Sequence, residues 1–143
     1  MSILFSRRCE YAIQAVMYLS LNKDHAKLSI RELTEQLTIP HPFLAKILQD
    51  LTRKGLLESQ KGVKGGFTLA RAPQEISLLQ IIEAVDGDGF LHNCVLGFEK
   101  CDENNPCVLH EHWKVFRDTT VHMLASKTIG EMARETKKPQ FVM

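Results

Sequence analysis

The sequence predicts a mainly α-helical fold with one small β-hairpin. Three observations lead to it. Apolar residues recur at three- and four-residue spacing along most of the chain, the period of an amphipathic helix. Serine or threonine stands at the head of several of these stretches, and Ser29/Glu32 and Thr128/Glu131 have the S/T-x-x-E spacing of a helix capping box. Residues 56–70 break that rhythm, as two short strand-like runs around a loop rich in glycine and lysine.

Taken in order, residues 11–21 carry Ala, Ile, Met and Leu without Gly or Pro. They read as a helix buried over most of its circumference and capped near Ser6, with Ile13, Val16 and Leu19 in the core. A second helix starts at Ser29 and presents Ile30, Leu33 and Leu37 at helical spacing. Thr38 and Ile39 interrupt it, and Pro40 and Pro42 favour a turn and a fresh helix start. The third helix places Phe43, Leu44, Ile47, Leu48 and Leu51 on one face and ends at Gly55. This succession fits a helix-turn-helix. Strands over residues 56–59 and 67–70 follow, with Lys61 and Lys64 at the tip between them. A hairpin directly after a helix-turn-helix is the wing of a winged-helix domain.

Residues 77–85 form a fourth helix with a Ser77 cap. Residues 86–106 lose all periodicity. From Cys107 a long helix runs to about Ser126, with Leu109, Trp113, Phe116, Thr120 and Leu124 close to a heptad seam. That pattern reads as a C-terminal dimerisation helix; packing on its own domain is the alternative. Thr128 and Glu131 suggest one more capped turn, and residues 137–143 a frayed tail. The chain thus divides into a winged helix-turn-helix over residues 1–76 and a linker helix, cysteine-rich loop and dimerisation helix over residues 77–143.

The 143 residues are 44% hydrophobic and 24% charged, an ordinary globular balance, with a net charge of +1. That average joins two unlike halves. Residues 1–72 hold 11 Lys and Arg against 6 Asp and Glu, whereas residues 73–143 hold 7 against 11. A basic first half beside an acidic second half implies two tasks on one chain. No stretch approaches the roughly 20 apolar residues of a membrane span. The first residues lack a small-residue cleavage site, so a cytoplasmic location is expected. No Ser/His/Asp arrangement, Walker loop, nucleotide fingerprint or H-E-x-x-H supports catalysis.

Cysteines divide in the same way. Cys9 stands alone, a small buried hydrophobe by the commonest reading, while Cys94, Cys101 and Cys107 fall within fourteen residues. In a reducing compartment such a group points to metal rather than disulfides. His110 follows Cys107 as C-x-x-H, which on a helix puts both on one side. By chemistry alone zinc and iron suit a Cys3His set about equally.

Together these segments resemble the IscR/NsrR-type (Rrf-two) family of bacterial winged-helix transcription regulators. RRCEYAIQAVMYLS matches its first helix, PFLAKILQDLTRKGLL its recognition helix and KGVKGGFTLAR its wing. SLLQIIEAVDG matches the linker helix and CVLGFEKCDENNPCVLHEHW the cysteine loop. Six residues separate Cys94 from Cys101 where the family typically has five, a one-residue insertion that a loop absorbs easily. The resemblance implies a homodimer that binds double-stranded promoter DNA. It also implies an iron–sulfur cluster as sensor, 2Fe–2S favoured over 4Fe–4S, on Cys94, Cys101 and Cys107. The fourth ligand would be His110, favoured because imidazole suits iron, or Glu10, whose place beside Tyr11 is similar to that of a partner-donated carboxylate in NsrR-like members.

For DNA, His41, Phe43 and Lys46 stand near the start of the third helix, the part that enters the major groove in such motifs. Arg53 and Lys54 at its end suit phosphate, as do Arg7 and Arg8 of the first helix. At the wing, Lys61, Lys64, Gly65 and Gly66 would let the backbone approach the minor groove. Two other readings stay open: a metal or redox carrier without DNA, and a cluster-free or zinc-binding regulator of the same family.

Overall fold

A computed structural model of the chain describes residues 4–22 and 27–135. The frayed tail expected over residues 137–143 lies outside them. Seven α-helices and a two-stranded antiparallel hairpin make up the described fold, in the order α1 (Arg7–Leu21), α2 (Ile30–Leu37), α3 (His41–Arg53), β1 (Leu57–Gln60), β2 (Gly66–Leu69), α4 (Leu78–Asp86), α5 (Gly89–His92), α6 (His110–Ser126) and α7 (Ile129–Glu135). A single 3₁₀ turn at Pro73–Glu75 precedes α4.

Capping fixes most of the helix starts. Ser6 accepts from the Cys9 N–H at α1. Ser29 with Glu32 at α2, and Ser77 with Gln80 at α4, form reciprocal boxes. Thr128 and Glu131 do the same at α7. Each cap satisfies backbone donors that the helix leaves orphaned, worth about 1 kcal/mol apiece. Between α2 and α3 the chain turns through Thr38 in the left-handed region, φ 55°.

One continuous core joins the elements. Ala12, Ala15, Val16 and Leu19 of α1 meet Leu33 and Leu37 of α2, Leu44, Ile47, Leu48 and Leu51 of α3, and Ile81 and Val85 of α4. Leu124 of α6 and Ile129 of α7 close it from the C-terminal side. Ile13, expected inside, is half-buried at its margin. Phe43 departs further from expectation: it is 53% exposed, because His41, Pro42 and Phe43 open α3 outside the core and Leu44 is the first residue of the helix to enter it.

The hairpin pairs Leu57 with Leu69 and Gln60 with Gly66, one residue displaced at each strand from the sequence reading. Leu28 adds an isolated bridge to Phe67, tying the wing to the entrance of α2. A second bridge, Ser77 to Thr128, binds the start of α4 to that of α7. Two further differences bear on the site. The stretch expected to be irregular contains the short α5, and α6 begins at His110 rather than at Cys107. The turn over residues 107–110 is closed by the His110 N–H donating to the Cys107 carbonyl at 3.1 Å, which leaves Cys107 outside the helix.

Candidate functional site

Cys94, Cys101, Cys107 and His110 line one cavity of about 390 Å³, together with Phe98, Asp102 and Pro106. Several bonds shape the walls. The Cys101 N–H donates to the His92 carbonyl at 2.9 Å, and the Trp113 indole N–H to the Asn93 carbonyl at 3.2 Å. Trp113 also packs edge-on to Phe90 and stacks on Phe116, so α5 and α6 hold the loop from both ends. Lys114 of α6 clasps Glu103 of the loop, which lowers the Glu103 pKa and raises that of Lys114.

The donors stand in two pairs. The Cys94 and Cys107 Sγ atoms are 3.8 Å apart, and Cys101 Sγ lies 3.3 Å from His110 Nδ1. His110 thus partners Cys101 rather than Cys107, its expected neighbour on a helix face, because Cys107 sits in the turn before α6. His110 is 4% exposed. Among the described residues, no three His, Cys, Asp or Glu side chains are grouped closely enough to clasp a single metal ion. The backbone N–H of Leu96, foremost, and those of Phe98 and Gly97, with the Cys107 thiol, hold the Cys94 pKa below the ordinary thiol value against the opposing effect of burial. Such donors stabilise a thiolate, the form that binds metal.

Cys9 is chemically different. Burial foremost, then the charges of Asp86 and Glu10, push its pKa up to about 12. It is a neutral core thiol. Glu10 is not among the residues lining the cysteine cavity within one chain; its Oε2 accepts from Arg7 Nη1 at 3.1 Å.

A separate set of residues forms the surface expected to meet DNA. His41 and Phe43 are exposed at the start of α3, and Lys54 at its end. Arg7 lies 5.8 Å over the Tyr11 ring. Arg8, Lys46 and Arg53 converge on Asp50, which the sequence reading passed over. Its signal was present as i−4 and i+3 spacing to Lys46 and Arg53 on one helix. Burial alone would raise the Asp50 pKa, but the Arg8 hydrogen bond and the charges of Lys46, Arg8 and Arg53 outweigh it and hold the carboxyl below the usual value.

Lys61, Val63 and Lys64 form the exposed wing tip. Gly65 and Gly66 face inward instead. A Cβ at Gly65 would lie 2.0 Å from the Gln60 carbonyl oxygen, and one at Gly66 2.6 Å from that of Leu28. Both glycines are therefore required by the packing of the protein's own backbone. A groove lined by Arg31, Arg53, Lys61 and the Ser29 cap runs between α2, α3 and the wing.

Of the five residues assigned to a dimer seam, Thr120 and Leu124 are buried within the chain and Trp113 is half-buried. Leu109 and Phe116 remain exposed, and Met123 continues their seven-residue spacing.

A profile of the Rrf2 family, described as iron-dependent transcriptional regulators, matches residues 5–135. A protein of Aquifex aeolicus bearing the name HTH-type transcriptional regulator is 34% identical over 142 residues, 97% of each chain. IscR of Escherichia coli O1:K1, also named an HTH-type transcriptional regulator, is 26% identical over 85% of this chain and 75% of its own. CymR, the global cysteine regulator of B. subtilis, shares the fold with a TM-score of 0.77 at 22% identity, over 95% of this chain and 100% of its own. T. potens IscR does so with a TM-score of 0.74 at 22% identity, over 98% and 91%. Transcriptional regulation, the role these relatives are named for, is a non-enzymatic one. The chain belongs to the Rrf2 family of transcriptional regulators.

Proposed function

We propose that this regulator binds promoter DNA as a homodimer, and that its hold on DNA is set by a 2Fe–2S cluster carried by Cys94, Cys101, Cys107 and His110. The pairing of the donors carries the reading. Two thiolates on one tetrahedral ion with metal–sulfur bonds of about 2.3 Å sit about 3.8 Å apart. Cys94 and Cys107 have that spacing, and Cys101 with His110 is only slightly closer. Two pairs across one cavity suit two metal ions.

An iron–sulfur cluster would supply a charge and a reactivity sensitive to oxidants, nitric oxide and iron supply. The chain supplies the rest. His110, as a non-cysteine ligand, leaves one side of the site more open to exchange. The cavity is partly open to solvent, which gives small reactants access. A cluster-dependent shift of the dimer between conformations of unequal DNA affinity is a coupling free energy between two sites. The helix α3 and the wing, with their surface lysines and arginines, suit the DNA. Leu109, Phe116 and Met123, with Val115 66% exposed beside them, suit a second α6. Among the described residues no helix is long and apolar enough to cross a membrane; a cytoplasmic site of action accords with a DNA ligand.

The test is anaerobic purification with visible absorption and Mössbauer spectra, followed by DNA shift assays on apo and loaded protein. The expected results are a 2Fe–2S spectrum and unequal shifts, with the difference abolished in Cys101→Ala. Colourless protein with stoichiometric zinc overturns the iron assignment and leaves the DNA reading standing.

A further inference from the structure

Asp50 is a buried carboxylate beneath a surface read as DNA-binding, only 4% exposed. Its Oδ2 accepts from Arg8 Nη2 of α1 at 2.5 Å. Its Oδ1 accepts from Arg53 Nη2 at 2.7 Å and lies 3.5 Å from Lys46 Nζ. The three cationic side chains stay 37%, 65% and 59% exposed, respectively. One buried anion thus holds three outward-facing cations, drawn from two helices.

Neither packing nor charge accounts for that choice. A buried ion pair is often no more stabilising than an apolar side chain of similar volume. A carboxylate also subtracts one charge from a surface whose attraction to phosphate grows with each cation. What Asp50 does supply is order. Long cationic side chains lose rotamer freedom when they settle on phosphate, and a tether in the free protein meets that cost before binding. The carboxylate fixes the spacing of Arg8, Lys46 and Arg53 and leaves the group with two net positive charges.

We propose that Asp50 is a positioning residue for DNA recognition, which sets the fan of Arg8, Lys46 and Arg53 against the phosphates of one preferred duplex. The inference rests on the reading that α3 and the wing meet DNA.

The two accounts differ in sign. If Asp50 acted only through its charge, Asp50→Asn would bind every duplex more tightly. Positioning predicts that folded Asp50→Asn loses about tenfold on a duplex selected by the wild-type protein from a randomised library. Its affinity for random-sequence duplex should hold or rise. The losses of Asp50→Asn and Arg8→Ala on the selected duplex should not add, since they break one arrangement. Equal or tighter binding of the selected duplex by Asp50→Asn, or additive losses, overturns the inference and leaves DNA binding intact. If Asp50→Asn fails to fold, Asp50→Glu replaces it. The net charge is then unchanged, so a loss confined to the selected duplex supports positioning and wild-type binding overturns it. A wild-type chain that enriches no duplex overturns the DNA reading itself, and this inference with it.

Discussion

The hydroxyl of Ser6 donates a 2.6 Å hydrogen bond to Oδ1 of Asp86, 80 positions further along the chain. The Ser6 N–H reaches the other oxygen at 3.4 Å, while Ser6 Oγ accepts from the Cys9 N–H at 3.0 Å. Asp86 is the last residue of α4, before Gly87 turns the chain towards the cysteine loop at φ 79°. One side chain therefore caps the helix that carries Arg7 and Arg8 and anchors it to the helix that leads to the cysteines.

Ser6→Ala removes both bonds at once. A lost N-cap and an interhelix hydrogen bond together should cost about 1–2 kcal/mol. The expected outcome is a lower urea midpoint with an unchanged slope, restored in Ser6→Thr, whose hydroxyl can serve both roles. A midpoint indistinguishable from wild type would show that the link to Asp86 carries no stability.

Asp50 gives stability a definite pH dependence. Its folded pKa is held below the ordinary carboxylate value of 3.8, so the unfolded chain takes up protons first as pH falls. The contribution of its charge is therefore complete above about pH 4 and fades as pH drops through the lower folded value. Asp50→Asn should cost about 1–2 kcal/mol at neutral pH, the modest figure reflecting the exposure of the three cations. The gap to wild type should narrow at about pH 3. Paired urea titrations at the two pH values check this; a gap that widens in acid would reverse the assignment.

Gly66→Ala tests how the wing is attached. The added Cβ would meet the Leu28 carbonyl oxygen at 2.6 Å, closer than real Cβ atoms come. Leu28 and Phe67 exchange hydrogen bonds of 3.1 and 2.8 Å there, and the backbone cannot yield without losing them. A cost of about 2–3 kcal/mol is expected. Faster amide exchange at Phe67, with little change in the middle of α3, should accompany it. Uniform destabilisation without local exchange would place the strain elsewhere.

Phe116→Glu tests the pairing of α6. Phe116 is 49% exposed, in line with Leu109 at 41% and Met123 at 47%. A charge in the middle of that stripe should turn a dimer into a monomer by sedimentation and weaken DNA binding by about tenfold or more. A variant that stays dimeric moves the interface off this stripe.

The sequence made most of the fold legible because its caps and spacings act locally. Ser29 with Glu32, or Thr128 with Glu131, commits a helix start within four residues, and the structure keeps both. What stayed hidden depends on residues far apart. Arg8 lies 42 positions from Asp50, so a cation read as free for phosphate proves to be shared with a carboxylate. The heptad-like series on α6 could not reveal that Thr120 and Leu124 face the chain's own core, since one spacing serves either partner. In the loop, C-x-x-H implied a Cys107–His110 pair only if Cys107 were helical. The turn before α6 redirects Cys107 to Cys94.

Alkylation of metal-free protein should expose this difference among the thiols. Cys101 and Cys107 are half-buried, and Cys94, though only 8% exposed, lines the same open cavity. Cys9 is 0% exposed, packed in the core with Ala12 and Val16. In chelator-treated, reduced protein, iodoacetamide should therefore modify Cys94, Cys101 and Cys107 readily and Cys9 about tenfold more slowly or worse. Reconstitution with iron and sulfide should protect the three loop thiols together if the proposed cluster engages them as a set. Peptide mass spectrometry reads each site separately. Full alkylation of the three after reconstitution would remove the loop as the cluster site, whereas rapid modification of Cys9 would show instead that α1 opens in solution.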